Sequence, residues 1–93
     1  MPSKYLILQT PKGEKAVIFP EEGFYHDEMA ERLGSLGVNA AGYIEIGENG
    51  KIRCFGRSES LDVGGRGEED EIVIAKQLAE AISWLQPAIN RDV

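Results

Sequence analysis

Two short apolar runs in this chain each fold back on themselves around a glycine-closed turn, and this pairing constrains the fold most. The runs are Tyr5–Gln9 with Lys15–Phe19, and Tyr43–Ile46 with Ile52–Phe55. The turns, Pro11-Lys12-Gly13 and Glu48-Asn49-Gly50, have the form of a three-residue loop whose last residue adopts a left-handed conformation, open to glycine without a Cβ penalty.

Such a loop sets Gln9 opposite Lys15, Leu8 opposite Ala16, Ile7 opposite Val17, Leu6 opposite Ile18 and Tyr5 opposite Phe19. Opposed residues share a face, so Leu6, Leu8, Ala16 and Ile18 fall on one side and Tyr5, Ile7, Val17 and Phe19 on the other. A one-residue slip places Leu8 opposite Lys15, a poorer match. In the second hairpin Ile46 faces Ile52, Glu45 faces Arg53, Ile44 faces Cys54 and Tyr43 faces Phe55. A two-residue Asn49-Gly50 turn would set Ile46 against Arg53 and Glu45 against Cys54, scrambling both faces.

Between the hairpins, His26 to Leu36 reads as a short helix, with Met29, Leu33 and Leu36 at helical spacing and Gly37 as its stop. Glu68 to Leu85 reads as the main helix. Ile72, Ala75, Leu78, Ala79, Ile82 and Leu85 form its apolar stripe, and Pro87 ends it. Four acidic residues, Glu68–Glu71, suit its N-terminal dipole. The stretch Gly56 to Gly67 is irregular, and residues 89–93 read as a loose tail. The order ββα-ββα gives an α+β, two-layer single domain over 1–93, with a four-stranded, mostly antiparallel sheet and both helices on one face.

Ninety-three residues can bury one core without disulfides. The net charge of −6 disfavours nucleic-acid backbones, whose binders supply Lys and Arg, and favours solubility or a basic partner. Cys54, the only cysteine, can form no internal disulfide, which fits a cytoplasmic protein. No signal-like or membrane-spanning run is evident.

Chemistry-bearing motifs are sparse. Gly64-Gly65-Arg66-Gly67 precedes a helix but lacks the spacing of a phosphate loop, and the acids behind it repel anions. His26 beside Asp27 reads as a surface or capping residue, and Cys54 as a structural thiol among isoleucines. One histidine and one cysteine are too few for a zinc site. No cofactor, metal or catalytic residue is expected; an enzyme would have to use His26 or Cys54.

With two helices on one side of a sheet that is apolar on both, the second side must find a cover. Tyr5, Ile7, Val17, Phe19, Tyr43 and Phe55 are therefore the expected partner-binding residues, and a homodimer or protein partner the expected ligand. If the helices cover that side instead, the exposed one, with Leu6, Ile18, Ile44 and Ile52, is more apolar still. Folding of Gly56–Gly67 or Trp84 over the sheet, or helices on opposite faces, would remove the need.

The stretch Cys54-Phe55-Gly56-Arg57-Ser58-Glu59-Ser60-Leu61, with Gly65-Arg66-Gly67-Glu68-Glu69-Asp70, Lys4-Tyr5-Leu6-Ile7 and Ala16-Val17-Ile18-Phe19-Pro20, resembles small uncharacterised proteins encoded in phages and prophages. The resemblance implies a small accessory protein acting on host machinery. Two functional readings follow: a non-enzymatic, self-associating interaction module, and an acidic inhibitor that mimics nucleic acid to block a basic host protein.

Overall fold

A computed structural model describes residues 2–33 and 37–91, with side chains through Ser83. In chain order the elements are β1 (Ser3–Thr10), β2 (Gly13–Phe19), α1 (His26–Leu33), β3 (Gly37–Ile46), β4 (Ile52–Phe55), β5 (Arg57–Ser58), β6 (Val63–Gly64) and α2 (Glu68–Arg91). The main sheet is antiparallel throughout, in the order β2-β1-β3-β4, and β5 and β6 form a separate small hairpin. The α+β class and the four-stranded sheet are as read from the sequence. The expected helical residues Leu36 and Leu85 and the possible cover Trp84 lie outside the described side chains.

The second hairpin has the expected register, Tyr43 to Phe55 through Ile46 to Ile52. Its three-residue loop is closed by Gly50 at φ 79° and by a bond from the Gly47 N–H to the Lys51 carbonyl (2.9 Å). The first hairpin differs. Its loop has two residues, Pro11 and Lys12, and the register is the slipped one, with Leu8 opposite Lys15 and Ile7 opposite Ala16. Thr10 accounts for the shorter loop: its Oγ1 accepts the Lys12 N–H (3.2 Å) and donates to the Gly13 carbonyl (2.7 Å), with Gly13 at φ 115°. Parity could not resist the slip, because every residue from Lys4 to Leu8 is buried.

The slip re-sorts the faces. Tyr5, Ile7, Ala16, Ala40, Ile44 and Cys54 share one side with Ile74 of α2. Leu6, Leu8, Phe19 and Ala41 share the other with Met29 and Ala30 of α1 and with Leu61 and Val63. The two helices therefore lie on opposite faces rather than together on one. The β5–β6 segment, expected to be irregular, folds beside α1. The central sheet is covered from both sides within one chain.

Strand β3 begins at Gly37, six residues before the expected Tyr43, so Gly37 opens a strand where a helix stop was read. Gly, Asn and Ala have weak strand preference, but β3 lies in the sheet interior, where Ala40 and Ala41 are fully buried against β1. The helix α2 continues past Pro87 to Arg91, so 89–91 are helical rather than a loose tail; Asp92 and Val93 lie outside the described residues. Proline leaves the Ser83 carbonyl without its helical partner, a small loss where Ser83 is exposed and water can replace the bond.

Candidate interaction surface

The polar residues with possible chemistry are engaged in holding the fold. Asp70, fully buried in the first turn of α2, accepts the Tyr5 hydroxyl (2.5 Å), the Arg66 N–H (2.7 Å) and Arg66 Nε (2.6 Å). Arg66 continues to both carboxylate oxygens of Glu14 (2.9 and 3.2 Å), and Asn39 donates to Glu14 (2.8 Å) and Gln9 (2.9 Å). Arg66 and Asn39 hold the Glu14 carboxyl below its ordinary value. Burial, then Asp70, pushes the Tyr5 phenol up. A Cβ on Gly65 would lie 2.5 Å from the Tyr5 hydroxyl, which is why the backbone can thread past it. This chain of contacts pins the start of α2 to the sheet.

His26 is buried rather than a surface cap. Its Nε2 meets the Gly42 carbonyl at 2.9 Å, so Nε2 carries the proton, and its ring packs edge-on between Phe19 and Tyr43. Burial lowers its pKa, against the opposing pull of the Gly42 bond. The unfolded chain therefore takes up a proton before the native one as pH falls. Stability should be full above about pH 6.5 and decline as pH falls below it toward the lowered native value, with a slope of at most about 1.4 kcal/mol per pH unit. Urea midpoints across that range should show the slope in wild type and lose it in His26→Gln; an unchanged slope in the variant would refute the assignment. Cys54 is buried as expected, and burial followed by the Asp70 and Glu71 charges pushes its thiol up to about 11. Among the described residues no three His, Cys, Asp or Glu side chains gather as a metal site, and no helix is long and apolar enough to cross a membrane.

The expected partner-binding residues do not form one surface. Tyr5 and Ile7 are fully buried beneath α2, while Phe19 is buried on the opposite face with half-buried Val17. Tyr43 and Phe55, also half-buried, stack on each other at 6.0 Å on that opposite face, with Arg53 over the Phe55 ring. Phe19→Glu would therefore put a charge into the core and report on folding, not association.

The exposed apolar surface lies on the α2 side. The helix crosses all four strands. At one sheet edge Glu71 accepts the Cys54 N–H of β4 (2.9 Å); at the other the Gln77 amide bonds both Ala16 N–H (2.8 Å) and Ala16 C=O (2.9 Å) of β2. Val73 and Lys76 face the Pro11-Lys12 end of the sheet, where a cleft joins them to Lys12 and Glu14. The far end of the same face is left open, and Ile18, Ile44, Ile46 and Ile52 line a cleft of about 750 Å³ there. Ile18 is 41% and Ile46 59% exposed. With Ile74 directed into the sheet, helical spacing turns Ala75, Leu78 and Ile82 toward this open end, and Leu78 and Ile82 are 43% and 58% exposed. These helix residues flank a floor whose rim is polar, with Glu45, Lys51 and Arg53 also lining the cleft; floor and flank together make the corner.

Part of this corner was legible: Ile18, Ile44, Ile46 and Ile52 belonged to the alternative exposed face, but so did Leu6 and Leu8, which are buried on the α1 side. The contribution of α2 was not recognised, although its stripe from Ile72 to Leu85 is longer than a four-stranded sheet is wide. Compared with known protein families, curated proteins and solved structures, the chain matches none.

Proposed function

We propose that this protein is a non-enzymatic interaction module that works by binding a second copy of itself through the apolar corner between α2 and the open end of the sheet. The reading is supported above all by four large aliphatic side chains exposed on the α2 side of the sheet, Ile18 and Ile46 lining the open cleft and Leu78 and Ile82 turned toward it by helical spacing. Isolated exposed leucines are ordinary, whereas a continuous aliphatic patch beside a cleft marks a contact surface. Cytoplasmic residence suits the reading, since a buried free thiol needs no oxidising compartment.

Sedimentation equilibrium tests it. Wild type should sediment at twice the 10.2 kDa chain mass, and Ile46→Glu, folded by circular dichroism, at the chain mass itself. Wild type sedimenting as a monomer at tens of micromolar would overturn the proposal. An acidic mimic of nucleic acid, which the −6 charge would suit, predicts a different salt response. Association of like-charged copies through aliphatic contacts holds or strengthens as salt rises, whereas capture of a basic partner weakens steeply.

A further inference from the structure

We infer that the twofold partner covers the corner with its own α2: the overhanging second half of each helix lies across the open sheet end of the other subunit, the two α2 helices running antiparallel side by side. This arrangement rests on the self-association proposed above and specifies what mates with what.

Three observations carry it. First, α2 leaves its own sheet at Gln77, its last anchor, on β2. From Leu78 to Ser83 every residue is exposed, whichever way it points. Through Ser83 this stretch makes no further side-chain bond to the sheet, yet it carries aliphatic residues at Leu78 and Ile82, in line with Ala75 and still about half exposed. A water-surrounded helix needs no such stripe, and a helix with a neighbour does.

Second, the dimensions agree. The helix continues to Arg91, so the overhang spans roughly 21 Å at 1.5 Å per residue. The open floor spans four strands, roughly 14 Å across. One overhang is long enough to cross one floor. Ala75 and Ala79 on the flanking side of α2 leave space for a second helix to approach closely.

Third, the chain exposes more surface than its mass warrants. It presents 6533 Å², against roughly 5,300 Å² for a compact protein of this mass. Its radius of gyration, 14.2 Å, exceeds the roughly 12 Å of a compact chain of this length. A second copy is the occupant that resolves both halves at once. Each subunit brings one bare helix and one bare floor, and a twofold axis pairs them into a closed, isologous contact. A foreign ligand on the floor would leave the overhang uncovered.

Crosslinking between single-cysteine variants tests the arrangement. In a Cys54→Ala background, Ile18→Cys and Ile82→Cys are prepared separately, mixed, allowed to exchange subunits and treated with a short bis-maleimide. The mixture should give covalent dimer at least about fivefold above either variant alone, because a closed twofold brings the unlike positions together. Dimeric protein by sedimentation with no excess of mixed product would overturn the helix-on-floor arrangement and leave self-association standing. Monomeric protein in the same sedimentation run would overturn both.

Discussion

Asp70→Ala will lose about 3–5 kcal/mol of folding stability, the cost of stranding the partners of a buried charge. In the native chain this carboxylate takes three bonds, from the Tyr5 hydroxyl, the Arg66 backbone N–H and the Arg66 guanidinium, with no exposure to water. Removing it leaves a buried phenol without an acceptor and an arginine held by Glu14 and, more loosely, by Glu69 at 3.8 Å. It also detaches the first turn of α2 from β1. Asp70→Asn, which keeps the shape and an acceptor oxygen, should lose less. Urea unfolding followed by circular dichroism measures both; a loss below about 1 kcal/mol for the alanine variant, within the range of an ordinary single hydrogen bond, would refute the anchoring role.

Gly42→Ala is expected to cost about 3 kcal/mol, at or beyond the upper end for an overpacked core site. A Cβ there would sit 2.6 Å from the Phe55 carbonyl oxygen, 3.2 Å from the Gly56 carbonyl oxygen and 3.3 Å from Cε1 of Tyr5. Two of these neighbours are backbone, in or next to β4, so no side-chain rotation relieves the contact. The same backbone unit accepts the His26 bond, so displacing it also disturbs the seat of α1. Gly64→Ala is the matched control: a Cβ at Gly64 meets nothing within 4 Å. The two thermal midpoints should differ by at least 10 °C. Equal midpoints would show that β3 and β4 can part without cost.

How far these features could be read from residues alone depends on how one-sided each strand is. The second hairpin was legible because its two faces differ: Glu45 and Arg53 pair at 2.7 Å in the open while Ile44 and Cys54 are buried. Only one register sorts them. The first hairpin was misread because β1 is buried on both sides, so neither register is penalised by its pattern, and the choice fell to the Thr10 hydroxyl in the turn. The first half of β3 was invisible because what suits it to the sheet interior is small size, which Ala40, Ala41 and Gly42 share with loops. The opposite placement of the helices was not read although both faces carry apolar residues in either register; in the observed one Tyr5 and Ile7 join Ala16 beneath α2, and Leu6, Leu8 and Phe19 lie on the α1 side. The candidate surface was half legible for the same reason. Ile46 and Ile52 were assigned to the correct face, whereas Tyr5, Ile7 and Phe19 are interior residues, covered because each face has its own helix.

The clasp that α2 places on the two outer strands has a bearing on solubility. By occupying the outward amide of Cys54 and both outward groups of Ala16, Glu71 and Gln77 fill the middle of each rim, where an unfolded neighbour would otherwise add as a further strand. One helix thus occupies a central position on both edges of the layer. A protein protected in this way can expose aliphatic residues on one face without offering the middle of its sheet edges to further strands.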